Sequence, residues 1–402
     1  MKRSSLFSLV IFTILLLSMY VPATHAANKQ FNTNKEEQSL ILYKKSMDKI
    51  SYIIDMHLTT ALKYDRLHER ALLEGNLVLA NGYSKIRDKY LQLTVDYIYN
   101  NYRMDVNNII NGIASLTILL SEKKPNEINN ILAKSGWKDT SELTAKMEKM
   151  RLQPVIAFNM AEEIRKLANN DMFVYTFVSS MVYDEFKELK LKEDTELGLP
   201  SSHYKEEKLY TIIQPDSILF PRLTVSFKQV KADTEIAFGY DCSGYPYITN
   251  LWQTSANPPI YIPDPKNTLK KVIVHDYSDY SNGWYYYKLE LVFGDEDVPF
   301  SPAANYAYDM YRLGKYHRIE DIESFVLNSY DRGQTWHVDF QDIWSNGKTF
   351  AYPVGQHGSV TRVVRSGSVS VYVSNVWNHA MDIYNSNPCM SIVTVNPPVS
   401  WS

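Results

Sequence analysis

Apolar positions lie three and four residues apart along most of the first half of the chain and two apart along the second. Leu40, Tyr43, Met47, Ile50, Ile54, Ala61 and Tyr64 share one face of a predicted helix, and His57 sits within that stripe. Tyr83, Ile86, Tyr90, Leu93 and Tyr97 repeat the spacing in a second helix. A third, over roughly residues 106–121, stops at Lys123-Lys124-Pro125, two bases followed by a residue that cannot continue a helix. Asp139, Thr140 or Ser141 caps a short helix through Met150, and Pro154 opens another that runs to Asn169. Residues 172–183 are dense in Val, Phe and Tyr, which suit a strand, whereas residues 185–192 favour a helix, so the pattern leaves that segment open.

From residue 209 the period becomes two. Strands are predicted at 209–213, 223–227, 234–238, 270–275, 285–293 and 336–340. Residues 360–364, a turn at Arg365-Ser366-Gly367 and the alternation Val369, Val371, Val373 read as a hairpin, residues 391–395 as a last strand, and 302–320 as holding one helix. The expected fold is α+β: an N-terminal α-helical bundle followed by a mostly antiparallel, sandwich-like β domain. The expected division is a signal peptide over 1–26, a helical domain over 27–195, a polar linker over 196–208 and a β-rich domain over 209–402.

The leader changes the picture from shape to location. Lys2 and Arg3 precede an apolar run of about sixteen residues, shorter than the roughly 20 that a spanning helix needs, and Thr24-His25-Ala26 offers small residues to a signal peptidase. The chain is therefore expected to be exported and extracellular, with no transmembrane segment after cleavage. Its Lys, Asn and Ile content fits a bacterial source. The formal charge is −3, and the leader carries two bases and no acid, which leaves −5 after cleavage. A weakly acidic chain without basic runs is a poor match for nucleic acid. Two cysteines, Cys242 and Cys389, form an even pair in an oxidising compartment, so one disulfide is expected; by chain entropy such a loop contributes roughly 4–5 kcal/mol.

Ser329-Tyr330-Asp331-Arg332-Gly333-Gln334-Thr335-Trp336 resembles the Asp-box, S-x-D-x-G-x-T-W, of sialidases and other mostly secreted β proteins. The resemblance implies a structural turn between two strands: Asp331 accepts turn amides, Gly333 takes a positive φ, Trp336 packs beneath, and Ser329 and Thr335 complete the pattern. Sialidase propellers carry several boxes and an F/Y-R-I-P element. This chain carries one box, and its Phe220-Pro221-Arg222-Leu223 has a different order.

Candidate chemistry gathers in the β half. His337 and Asp339 alternate along a strand and share a face, and His357, His379 and Asp382 lie in or near loops; together they are the candidate acid–base or metal-ligating set. Loop histidines with no shared role are the commoner outcome, and no H-E-x-x-H or G-x-S-x-G is present. Asp295-Glu296-Asp297 reads as a solvated acidic turn; carboxylates of this kind bind hard cations, but the EF-hand spacing is missing. No metal or cofactor is predicted. Trp284, Tyr285 and Tyr287 are the candidate ligand-binding aromatics. The apolar segment 113–120 reads as core. The leading expectation is a non-enzymatic protein that binds an extracellular protein or glycan. The alternatives are a secreted hydrolase built on the His/Asp set and a membrane-acting toxin.

Overall fold

The structure, a computed structural model, describes residues 33–196, 224–231, 269–296, 301–340, 360–365, 368–373, 379, 381–384, 391–395 and 397–401. The predicted leader, the strands at 209–213 and 234–238, Asp297, His357, Cys242 and Cys389 lie outside these residues, as does the predicted linker except Glu196.

A helical region comes first. It comprises α1 (Thr33–Leu73), α2 (Leu77–Asn101), α3 (Arg103–Glu122), α4 (Pro125–Lys134), α5 (Thr140–Met147) with a 3₁₀ turn to Met150, α6 (Pro154–Leu167) and α7 (Asp171–Glu196). At 1.5 Å per residue α1 is roughly 60 Å long. Asn76 caps α2 by accepting the Leu79 amide at 3.1 Å. Pro125 both ends α3 and starts α4, because a proline tolerates the first turn, where its missing N–H costs nothing. The sequence reading used that proline only as a stop and so missed α4. Residues 172–183 are helical within α7, and their Val, Phe and Tyr side chains fill the bundle interior. The whole segment from Ile113 to Leu120 is buried in α3.

A helix from the second half completes this core. Helix α8 (Pro302–Tyr316) is capped by Ser301, whose Oγ accepts the Ala304 amide at 3.2 Å, and it ends at His317 with φ 58°. Ala303, Ala307, Tyr308, Met310 and Tyr311 join the same apolar cluster as α1, α3 and α7. Tyr43 of α1 marks the meeting point. Its ring is edge-on to Trp137 at 5.1 Å, and it lies against Gly112 of α3 and Gly314 of α8, where a Cβ would fall 2.3 and 2.7 Å from its atoms.

The strands are β1 (Thr224–Lys231), β2 (Leu269–Asp276), β3 (Tyr285–Phe293), β4 (Asp321–Ser329), β5 (Trp336–Phe340), β6 (Val360–Val364), β7 (Ser368–Val373), β8 (Met381–Asp382), β9 (Ser391–Val395) and β10 (Val399–Trp401). Six form a sheet in the order β10-β2-β3-β4-β5-β6 and four a sheet in the order β8-β7-β1-β9. Both sheets are mixed: β10 runs parallel to β2, and β1 parallel to β7. The fold is thus α+β, a helical region followed by mixed sheets. Val369, Val371 and Met381 of the smaller sheet share one apolar core with Leu289, Leu291, Leu327 and Val338 of the larger.

The predicted 360–373 hairpin does not form. Strand β6 pairs with β5 in the larger sheet, whereas β7 pairs with β1 and β8 in the smaller, so the chain changes sheet between Arg365 and Ser368. Alternation set both strands correctly, but it carries no information about which partner each one finds. Strand β4 was missed because its buried positions include Asp321, Glu323, Asn328 and Ser329, which blur an apolar alternation.

Candidate functional site

Two residues singled out in the sequence, Glu296 and His379, meet other charged side chains at a buried junction between helices and sheets. Asp184 and Lys187 come from α7, Tyr308 and Arg312 from α8, Asp321 and Glu323 from β4, Glu296 from three residues past β3, and His379 from two residues before β8. Lys187 Nζ lies 2.9 Å from Asp321 Oδ1 and 2.8 Å from Glu323 Oε1. Arg312 spans three carboxylates: Asp321 at 3.1 Å, Glu296 at 3.3 Å and Asp184 at 3.5 Å. The Tyr308 hydroxyl donates to Asp184 Oδ2 at 2.6 Å, and His379 Nδ1 donates to Asp321 Oδ2 at 2.8 Å. The His379 ring stacks on Phe293 at 3.6 Å, and its backbone holds φ 45°.

Charge balance governs this group. Burial pushes Glu296 up, Asp321 adds to the effect, and Lys187 and Arg312 only partly oppose it, leaving a pKa of about 8. Glu296 is therefore a neutral acid at pH 7. Burial also opposes ionised Asp321, but Lys187, the His379 hydrogen bond and Arg312 outweigh it and hold Asp321 well below the usual range. Burial lowers His379, against the pull of Asp321, and Lys187 and Arg312 assist, so the ring is neutral. The expectation that 295–297 is a solvated turn fails for Asp295 and Glu296, which are 1% and 5% exposed.

Carboxylate oxygens of Asp184, Glu296 and Asp321 lie within 4.8 Å of one another, close enough to hold a cation. The residues do not fit one. Lys187 and Arg312 are already paired with these oxygens as counter-ions. The group is an internal ion network that ties α7 and α8 to β4.

A second junction lies at the α1–α2 turn. His68, 1% exposed, faces Asp339 Oδ2 through Nε2 at 2.8 Å and the Ala80 carbonyl through Nδ1 at 2.9 Å. Both partners accept, so both nitrogens donate and His68 is an imidazolium. Burial works against this charge, but Asp339 and the Ala80 carbonyl raise the pKa overall. Thr361 donates to the other Asp339 oxygen at 2.9 Å. Alongside, Asn328 donates to the Leu72 carbonyl at 3.1 Å and accepts from Trp284 Nε1 at 3.0 Å.

The Asp-box turn stands next to this seam. Asp331 Oδ1 accepts the amides of Gln334 and Thr335 at 3.0 and 2.8 Å and the Ser329 hydroxyl at 2.9 Å, and Ser329 Oγ accepts the Gly333 amide at 2.8 Å. Gly333 has φ 78°, and a Cβ there would lie 3.3 Å from the Trp336 ring.

The five candidate acid–base residues do not converge among the described residues. Asp339 belongs to the His68 pair and His379 to the Asp321 network. Asp382 makes a two-point ion pair with Arg362, at 3.0 and 2.6 Å, tying β8 to β6. His337 stands apart, 5.9 Å from the Tyr330 ring, with its Nδ1 lacking a hydrogen-bond partner. Of the candidate ligand aromatics, Tyr287 is fully buried, and Trp284 and Tyr285 are half-buried beneath Tyr286, Tyr280 and Trp336. His57, expected in the core, is half-exposed and lies against the Tyr97 ring at 4.3 Å.

One apolar stripe of α2 is open. The stripe Tyr83, Ile86, Tyr90, Leu93, Tyr97, which carries the helical spacing in the sequence, is not the buried one. The structure buries the neighbouring stripe, Ala80, Ser84, Arg87, Leu91, Val95 and Ile98. The reason is ionic. Arg87 reaches Asp65 of α1 at 2.7 Å, and Lys190 of α7 reaches the other Asp65 oxygen at 2.8 Å. Withdrawing Arg87 from buried Asp65 would strand a charge, a larger penalty than leaving a few apolar side chains wet. Ile86, Leu93 and Tyr97 are left 36%, 50% and 39% exposed.

No family model, curated protein or solved structure matches this chain. Among the described residues, no helix is long and apolar enough to cross a membrane.

Proposed function

We propose that this is an exported, non-enzymatic binding protein that works by association at a cell surface or with an extracellular partner. The reading joins the leader at 1–26, a Cys242–Cys389 bridge and a two-layer, sandwich-like arrangement of the sheets around their common core. One observation carries it. Asp339, His379 and Asp382, three of the side chains best suited to acid–base work, are each closed off by a partner from another element, while the outer α1–α2 face keeps large apolar side chains in water. Contiguous exposed apolar surface marks an interaction site. A helix-spaced stripe suits a protein partner better than a sugar, which asks for isolated rings.

The test uses the labelled mature chain on intact cells and on immobilised glycans. Saturable cell binding is expected, unchanged in His337→Ala and lost in Leu93→Glu. Turnover of an ester, glycoside or peptide substrate that disappears in His337→Ala would overturn the reading in favour of a hydrolase.

A further inference from the structure

The open face of α2 is regular. Leu79, Tyr83, Ile86, Tyr90, Leu93 and Tyr97 follow one another at steps of four, three, four, three and four, the alternation of a coiled-coil seam. Leu79 is 46% exposed, Tyr83 and Tyr90 are half-buried, and the other three are exposed. On α1, His57, Thr60, Tyr64 and Leu67 form a matching half-buried row at steps of three, four and three. The rows touch where Tyr64 stacks on Tyr90 at 5.9 Å and the His57 ring lies tilted against Tyr97 at 4.3 Å. Two antiparallel helices thus present a double seam that no described element covers.

We propose that the occupant of this seam is a second copy of the chain, its α1–α2 hairpin packing antiparallel on the first to make a four-helix interface. This rests on the association reading above and names the partner. Three observations favour a second copy. The seam is self-complementary under a two-fold axis level with residue 88: Leu79 then meets Tyr97, Tyr83 meets Leu93, and Ile86 meets Tyr90, so every aliphatic side chain packs against a ring. Alternating large and small partners is what lets facing seams interdigitate. The area also suffices. Helix α2 is roughly 38 Å long and two helices are roughly 20 Å wide, which gives on the order of 750 Å² per copy, close to the roughly 800 Å² per partner of a standard interface. Finally, the chain carries a net −3, which disfavours an anionic bilayer as the surface this face would enter.

Sedimentation equilibrium of the mature chain tests the proposal. A dimer with a dissociation constant near or below about 1 μM is expected. Ile86→Glu with Leu93→Glu, both on the outer face, is expected to keep the helical circular dichroism and thermal midpoint and to weaken the dimer by at least about a hundredfold. The register has its own readout. Leu79→Glu and Tyr97→Lys each weaken the dimer, and the two together recover it, because position 79 of one copy meets position 97 of the other. A wild-type monomer at about 100 μM, or a dimer indifferent to the Glu pair, overturns the proposal; failure of the Glu–Lys pair to recover overturns the register. A monomer that still binds cells would remove the second copy and leave the association reading standing. A dimer with no cell binding would do the reverse.

Discussion

The centre of the helical bundle and the junction with the sheets are equally buried, by opposite means. Around α3 the interior is filled by aliphatic and aromatic side chains, and the close approach of α1 depends on the missing side chain of Gly112 beneath Tyr43. Where α7 and α8 meet β4, the interior holds Asp184, Lys187, Glu296, Arg312, Asp321 and His379. Volume organises the first region and charge balance the second. The first should therefore respond to size and ignore pH, and the second should do the opposite.

The largest effect is expected from Arg312→Met. It keeps most of the volume but leaves Lys187 as the one cation paired with buried Asp184 and Asp321 among the described residues, which should cost about 3–5 kcal/mol in denaturant unfolding. A loss below about 1 kcal/mol would remove the claim that charge organises the junction. Gly112→Ala places a Cβ 2.3 Å from the Tyr43 Cβ and should cost about 2 kcal/mol by overpacking, with the same loss at every pH.

The pH dependence sharpens the contrast. Glu296 keeps its proton up to about pH 8 when folded, against 4.5 for a free carboxyl. The folded chain thus binds more protons between these values, so the stabilising contribution is full below about 4.5 and is lost as pH rises through about 8. His68, raised above 6.5, acts in the same direction. Asp321, depressed below 3.8, contributes above that value and is lost in strong acid. Unfolding free energy is expected to fall by a few kcal/mol from about pH 5 to about pH 9, and Glu296→Gln should flatten most of that slope. An unchanged slope in the variant would place the titrating group elsewhere.

His68→Ala should cost about 2 kcal/mol, because buried Asp339 keeps only Thr361 as a partner; Asp339→Asn with His68→Ala should lose less than the two singly measured costs added. The smallest effect is expected from Asp331→Ala, about 1 kcal/mol, since the turn amides it frees are close to water. Equal losses at His68 and Asp331 would mean that the helix–sheet junction is no more demanding than a surface turn.

Helical and strand periods placed most elements within a few residues. Strands 285–293, 336–340 and 360–364 match the structure at both ends, because alternation depends only on local side-chain direction. The site was less legible. The sequence grouped His379, Asp339 and Asp382 with one another as chemically able, and set Glu296 apart in an acidic turn. Their true partners are Asp321, His68, Arg362 and Arg312, up to 271 positions away along the chain. Arg312 and Asp321 carried no signal of their own, as a charged residue in a helix or strand reads as a solvated one.

By itself, the order of residues determined the periods, the caps at Asn76 and Ser301, and the composition of the stripe on α2, since each arises within a few bonds of the backbone. Tertiary structure alone decided which stripe faces inward, which strands share a sheet, and which acid keeps its proton. Those outcomes depend on the cost of burying Arg87, Asp65, Asp321 and Glu296 together with their partners, and that cost exists only once distant segments exclude water from the same space.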